Sequence, residues 1–162
     1  MHPCDCGAAA GPLGLCADYY NAILAEEQRD PEMYRWHAVV VCVYLLQHPS
    51  RGLQKFLDSQ YRMLQFFVEQ DLDALIRLQA HQVARNSHRS RSGYDLRPLE
   101  PYAPLPAGGP PERFRASFCG LPYGDDGFVS DGHEAYGHRM RTLAEMTEEA
   151  WKNLGPGTPG GG

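Results

Sequence analysis

The chain has 162 residues, 43% of them hydrophobic, with a formal net charge of -5 and a sequence pI near 5.8. This length allows one ordinary hydrophobic core, so we expect a single domain. The acidic balance argues against a general nucleic-acid binder, because neutralising phosphates requires a basic surface. The first 16 residues lack the basic leader and apolar core of a signal peptide. No stretch is long and apolar enough to span a membrane, so we expect a cytoplasmic protein without membrane contact.

Apolar residues at helical spacing predict about five helices, the first two of which come before Pro49. The first helix begins near Cys16 and ends around Arg29. The second begins at the DPE sequence of residues 30–32, since aspartate is a common N-cap and proline suits the first helical position. It continues through WHAVVVCVYLLQH and ends at His48, because a residue that precedes proline is disfavoured in a helix.

Three further helices are predicted in the rest of the chain. The third covers residues 50–69, and the fourth is capped by Asp71. The last is amphipathic and is capped by Ser130 or Asp131. The predicted fold is therefore an all-α, single-domain helical bundle formed by residues 1–154.

The chain from residue 86 to residue 129 is predicted to be irregular. It begins with the basic, polar run NSHRSRSGYDLRP, continues with a stretch rich in proline and glycine, and includes a short strand or turn around RFRASFCGLPY. Loops of this length in a compact domain usually cover a site or are mobile. The glycine- and proline-rich residues 155–162 are expected to form a disordered tail.

Three of the five cysteines lie in the sequence CDCGAAAGPLGLC at residues 4–16. In a reducing compartment, clustered cysteines more often bind metal or carry out redox chemistry than form disulfides. Zinc requires about four converging ligands, and the CDCG turn offers two thiolates with a glycine that lets the backbone bend. A third thiolate at the start of the first helix and a histidine from the second helix complete the set. We therefore predict a structural Cys3His zinc site formed by Cys4, Cys6, Cys16 and His37.

Two histidines of the second helix cannot share this ion. His37 and His48 lie about 16 Å apart along the axis of a continuous helix, so His48 is predicted to serve another role. The alternative to a metal site is that Cys4 and Cys6 are loose thiols on a frayed N-terminus. In that interpretation Cys16 is a small buried hydrophobe.

Candidate catalytic residues occur at the end of the second helix and in the last helix. His48, with Tyr44 one turn earlier, would act as a general acid or base, or else cap the carbonyls of its own helix. Glu134 and His138 are four residues apart and share a helix face. This pairing is found both in functional carboxylate–histidine sites and in ordinary surface ion pairs.

A basic concentration stands out in this acidic chain. It includes the candidate anion-binding residues Arg85, Arg89 and Arg91. Guanidinium groups bind carboxylates and phosphates through two hydrogen bonds, so an anionic small molecule or a segment of a protein partner is a candidate ligand. The alternative is a solvated loop whose arginines pair with the chain's own acidic residues.

The motifs together resemble those of a bacterial family catalogued as domain of unknown function 5946. They are the CDCGA turn, Cys16 in CADYYNAILAEE, His37 in YRWHAVVVCVYLLQHPS, and the Gln47-His48-Pro49 turn. The resemblance covers most of residues 4–151 and is strongest up to Pro49, although the cysteine turn is one residue shorter than the family's C-P-x-C-G-A. Since the family has no established activity, the resemblance implies the fold and the metal site but no reaction.

Two functions compete on these observations. The first is a binding or accessory module in which zinc holds the N-terminal segment to the bundle. The second is a small enzyme that uses His48, Tyr44 and His138, with the arginine-rich segment, on an anionic metabolite. The lack of a recognisable catalytic constellation favours the first. A third interpretation, a sensor in which thiol oxidation releases the metal, has no DNA-reading element in the chain to support it.

Overall fold

A computed structural model describes residues 4–87 and 97–154, without the side chains of residues 85–87. Over these residues the fold is an all-α single domain with six helices and no strand, as the sequence predicts. The predicted tail at 155–162 lies outside the described residues. The helices are α1 (Cys16–Glu27), α2 (Pro31–Tyr34), α3 (His37–Gln47), α4 (Gln54–Glu69), α5 (Leu72–Ser87) and α6 (His133–Lys152).

Helices α2 and α3 replace the single second helix that the sequence predicts. Asp30 caps α2, because its carboxylate accepts hydrogen bonds from the backbone N–H groups of Glu32 and Met33 at 3.1 and 3.2 Å. Helix α2 ends after 4 residues, and Trp36 becomes the N-cap of α3. As a result His37 is the first residue of α3 and does not lie within a longer helix.

The core forms where α3 packs against α4 and α6. Most of α3 is buried, which is typical of a helix at the centre of a fold. Trp151 of α6 is 2% exposed, and its Nε1 donates a hydrogen bond to the Leu46 carbonyl at 2.9 Å. The last helix therefore fixes the C-terminal end of α3. No helix in the described ranges combines the length and the apolar character needed to cross a membrane.

Gln47 connects the end of α3 to two other parts of the chain. It is 1% exposed, and its Nε2 donates hydrogen bonds to the Ala116 carbonyl at 2.8 Å and to Thr147 Oγ1 at 3.0 Å. The Thr147 hydroxyl donates in turn to the Leu143 carbonyl at 2.6 Å. Because buried donors need partners, these contacts fix the chain immediately before His48.

The proline-rich segment, residues 98–111, packs against α4 through the backbone of the segment. Arg62 donates to the Tyr102 carbonyl at 2.7 Å, and Gln65 exchanges two hydrogen bonds with the backbone of Ala103 at 2.8 and 3.2 Å. These contacts hold an irregular segment in a defined position. A 3-10 turn at Phe118–Gly120 occurs where the sequence predicts a short strand or turn.

Helix α6 begins one or two residues later than its predicted caps, Asp131 and Ser130, suggest. Its N-cap is Gly132, whose φ of +104° lies in the left-handed region that favours glycine. The Ser130 hydroxyl donates to the Gly127 carbonyl at 2.8 Å, and Asp131 pairs with Arg139. The two predicted cap residues therefore stabilise the turn before the helix and the first turns of α6.

Candidate metal centre

Three thiols and one imidazole lie together beside the end of α3. The Sγ atoms of Cys4, Cys6 and Cys16 and a ring nitrogen of His48 are all within 4.8 Å of one another. Cys4 Sγ is 3.2 Å from His48 Nε2, and Cys6 Sγ is 3.6 Å from Cys16 Sγ. Ligand atoms around a tetrahedral ion with such donors lie about 3.3–3.8 Å from one another. The group therefore has the geometry to hold a four-coordinate metal ion.

A tight turn presents the first two thiols. The Gly7 N–H donates to the Cys4 carbonyl at 2.7 Å, and the Cys4 N–H donates to the Ala8 carbonyl at 3.1 Å. Gly7 has a φ of +84°, so glycine is the favoured residue at this point of the turn. Asp5 faces the end of α3, where it accepts a hydrogen bond from the Ser50 hydroxyl at 3.0 Å.

The third thiol is the first residue of α1 and is completely buried. The Cys16 thiol shares a hydrogen bond with Cys6, which lowers the pKa of Cys6 to about 4 and raises the pKa of Cys16. Burial of the Cys16 thiol adds to this increase in its pKa. Since a bound metal requires thiolates, binding must release the proton on Cys16, and affinity for metal rises with pH.

His48 directs its Nε2 toward the thiols. Its Nδ1 lies 2.8 Å from the Tyr44 carbonyl oxygen. Because a carbonyl only accepts, Nδ1 carries a proton, and this leaves Nε2 as the nitrogen that faces Cys4 Sγ. Histidines that bind metals usually have this arrangement, in which the second nitrogen donates to a carbonyl or carboxylate. His48 therefore caps its own helix, as one prediction had it, and also contacts the thiols.

His37, the histidine that we assigned as fourth ligand from the sequence, lies elsewhere. Its Nδ1 is 2.7 Å from Glu27 Oε2, where the end of α1 meets the start of α3. His37 begins α3 and His48 follows its last residue. The N-terminal turn packs at the His48 end, as the hydrogen bond between Asp5 and Ser50 shows. The fourth position of the group therefore belongs to His48, which corrects the sequence-based assignment of His37.

The ion pair between His37 and Glu27 makes a pH-dependent contribution to stability. The side chain of Glu27 is fully buried, and its hydrogen bond raises the pKa of His37 above the ordinary value of 6.5. A raised histidine pKa stabilises the folded state fully below about pH 6.5, and this stabilisation is lost as the pH rises through the raised value. We therefore expect His37→Gln to lower the free energy of unfolding more at about pH 5.5 than at about pH 8.5.

Urea denaturation of both proteins at the two pH values measures this difference. His138→Gln is the matched control, because His138 is 77% exposed and its partner Glu134 is 3.8 Å away, so we expect little effect at either pH. An equal loss of stability by His37→Gln at both pH values would mean that the proton on His37 does not contribute.

The predicted catalytic residues fall into two groups on different parts of the fold. Tyr44 is buried beside His48, with ring centroids 4.5 Å apart, and it stacks on Tyr20 at 3.9 Å. Burial raises the pKa of Tyr44, so its phenol stays protonated. Glu134 and His138 lie on the exposed side of α6, where their 3.8 Å separation is that of a surface ion pair. The structure thus brings Tyr44 to His48 but not the two residues of α6.

The predicted anion-binding arginines are only partly covered by the structure. Arg89 and Arg91 lie outside the described residues, and the side chain of Arg85 is not described. Other basic side chains line a cleft of about 440 Å³. Its walls include Glu32, Arg35, Trp36, His133, His138 and Arg141. Its charges are largely compensated, since Arg35 pairs with Asp73 at 2.6 Å and His133 with Asp30 at 2.6 Å.

Cys119 is a residue of this region that the sequence analysis missed. Its Sγ lies 3.3 Å from Cys16 Sγ, although 103 positions separate the two residues in the sequence. It belongs to the 3-10 turn that packs against α1. A lone cysteine in a segment predicted to be irregular carries no spacing signal, so only the tertiary structure reveals this contact.

Comparison with known proteins gives one result. A family model described as a family of unknown function (DUF5946) matches residues 1–152. This is the family that the sequence motifs resemble, so the resemblance is confirmed. No curated protein and no solved structure matches the chain significantly.

Proposed function

The chain belongs to the family of unknown function DUF5946, and we propose that it is a zinc-binding accessory or binding module. The observation that carries the proposal is the closed ligand set of Cys4, Cys6, Cys16 and His48. Four protein ligands fill a tetrahedral coordination sphere and leave no position for water or substrate. Catalytic zinc sites, by contrast, usually have three protein ligands and an open position. The centre therefore suits a structural ion.

The donor atoms favour zinc over other common divalent ions. Three thiolates and an imidazole are soft or borderline ligands, whereas magnesium, calcium and manganese prefer oxygen. The two thiols of Cys6 and Cys16 are nearly inaccessible to solvent, which suits a site that excludes exchangeable water. All five cysteines are free, and a reducing compartment such as the cytoplasm keeps them available for metal.

The metal would hold the N-terminal segment to the bundle. Residues 4–15 contain no helix, and four of their six backbone–backbone hydrogen bonds lie within the segment. An ion at the centre joins the CDCG turn to the start of α1 and to the end of α3. Structural zinc contributes directly to folding free energy, on the order of 10 kcal/mol in small zinc-finger peptides. Here the bundle has its own core, so we expect the ion mainly to position this segment.

A small enzyme acting on an anionic metabolite has less support. His48 is 2% exposed and uses Nδ1 on Tyr44 and Nε2 toward Cys4, so it is poorly placed to exchange protons with a substrate. His138 lies in the exposed cleft of α6 with its own partner Glu134. The partner that we propose for the module is a protein and not a nucleic acid, because the net charge of -5 disfavours polyanions.

Elemental analysis of purified protein tests the proposal. We expect one zinc ion per wild-type chain, and loss of that zinc in Cys16→Ser. Cys42→Ser is the matched control. Burial raises the pKa of Cys42 to about 12, and its thiol donates to Gln60 at 2.8 Å, so it should keep the zinc. Folded wild-type protein that holds no zinc after incubation with an excess of the ion would contradict the proposal.

A further inference from the structure

A fifth sulfur borders the metal centre without belonging to it. Cys119 Sγ is 3.3 Å from Cys16 Sγ, which is closer than Cys6 Sγ at 3.6 Å. Cys119 is nevertheless outside the group of four mutually close ligands. Its thiol also lies 3.7 Å from the Gly14 carbonyl, next to the start of α1. A thiol in this position touches one ligand and leaves the ligand set unchanged.

We propose that Cys16 and Cys119 form a reversible redox pair, in which oxidation to a disulfide withdraws a ligand and releases the metal. The inference rests on the proposed function, because it requires a metal bound through Cys16. A disulfide bond is about 2.0 Å long, so the two sulfurs must approach by about 1.3 Å. The turn that carries Cys119 already packs against α1, so the two backbones are adjacent.

The two cysteines differ in their access to solvent, and this assigns them different parts in the reaction. Cys16 is 0% exposed, so an oxidant cannot reach its sulfur directly. Cys119 is only half-buried, so a small oxidant reaches its sulfur first. Susceptibility of a thiol to oxidation follows its thiolate character and its exposure, and exposure is what distinguishes these two cysteines. Cys119 is therefore the residue that is oxidised first, and Cys16 is the residue that resolves it.

The oxidant is a peroxide, and the reaction balances in two steps. First, the S–H of Cys119 takes up one peroxide oxygen to become S–OH, and water leaves. The Cys16 thiolate, which would otherwise hold the metal, then attacks this sulfur, forming the S–S bond and expelling hydroxide. The two sulfurs lose two electrons, and the broken O–O bond gains them. Only Cys4, Cys6 and His48 would then remain to hold the metal, too few for a closed site, and a dithiol reductant reverses the change.

The competing thiol pair has less favourable access. Cys6 and Cys16 are 3.6 Å apart, but both are buried, so a peroxide meets neither sulfur first. Cys4 is partly exposed, and its sulfur is 3.2 Å from His48 Nε2 and within 4.8 Å of the sulfurs of Cys6 and Cys16, so a disulfide from Cys4 is the rival that the peptide map must exclude. The pair formed by Cys16 and Cys119 combines a half-buried cysteine outside the ligand set with a metal-binding cysteine.

Treatment of the zinc-loaded full-length protein with hydrogen peroxide tests the inference. Zinc content is measured beforehand, zinc release is followed with a coloured chelator, and disulfides are located by mass spectrometry of alkylated peptides. For the wild type we expect zinc release together with a linked Cys16–Cys119 peptide, both reversed by a dithiol. Cys119→Ser should lose the linked peptide and release zinc at least about fivefold more slowly. Cys42→Ser is the control and should behave as the wild type.

The zinc content and the peptide map test the proposed zinc centre and the redox pair separately. Zinc content before oxidation decides the proposed function, and a sample without zinc contradicts both that function and the release step. In zinc-loaded protein, a Cys6–Cys16 disulfide, or release without the Cys16–Cys119 peptide, overturns the redox pair while the metal centre stands. If Cys119→Ser does not fold, the peptide map of the wild-type protein still decides the question.

Discussion

Replacing His48 by alanine is expected to weaken zinc binding roughly a hundredfold or more, while replacing His37 by alanine leaves it unchanged. His48 Nε2 faces the thiols and its Nδ1 donates to the Tyr44 carbonyl, whereas His37 is paired with Glu27. Loss of a residue that merely orients a ligand costs about 10- to 100-fold in affinity, so loss of the ligand itself should cost at least as much.

Competition with a coloured chelator measures the two affinities, and cobalt substitution gives a second reading. Thiolate and imidazole ligands around cobalt give absorption bands that change when the imidazole is removed. Circular dichroism shows whether each variant remains helical, which separates a lost ligand from a lost fold. Retained affinity in His48→Ala, or a matching loss in His37→Ala, would refute the assignment of the fourth ligand.

Gln47→Glu is expected to lower the free energy of unfolding by about 3 kcal/mol near neutral pH, although the two side chains have the same shape. Nε2 of Gln47 donates to the Ala116 carbonyl and to Thr147 Oγ1, and the Thr147 proton is already used on Leu143. A carboxylate in this buried position would face two oxygens without a proton to share. The loss should shrink as the pH falls, since a protonated carboxyl can donate one hydrogen bond.

Urea denaturation at about pH 7.5 and about pH 5 measures both the loss and its pH dependence. Gln54→Glu is the matched control, because Gln54 is exposed at the start of α4, where a negative charge is slightly favourable. We expect this control to be as stable as the wild type at both pH values. A loss of less than about 1 kcal/mol in Gln47→Glu would mean that the amide hydrogen bonds do not hold α3 in place.

The helices and the thiols of the site could be predicted because their signals are local. Asp30 and Asp71 cap α2 and α5, where the sequence places the starts of two helices. The CDCG turn depends on Gly7, and the next cysteine, Cys16, is the first residue of α1. Each of these features is decided by residues within one or two turns of chain, which is the range over which sequence patterns act.

The imidazole could not be assigned, because it depends on how separate parts of the chain pack. A break at Arg35 and Trp36 makes His37 the start of α3, yet neither glycine nor proline marks it. Which end of α3 receives the N-terminal turn is then settled by tertiary contacts, among them the hydrogen bond from Ser50 to Asp5. Helical spacing showed that His37 and His48 cannot both bind one ion, but it did not show which of the two histidines is the ligand.

The way in which α4 holds the proline-rich segment affects which surface the protein can offer. Arg62 and Gln65 bind the segment through the carbonyl of Tyr102 and the backbone of Ala103. Recognition of main-chain atoms is indifferent to the side chains that the segment carries. Substitutions at its exposed positions, such as Ala103 and Pro104, can therefore alter the charge and shape presented to solvent while these main-chain hydrogen bonds stay the same.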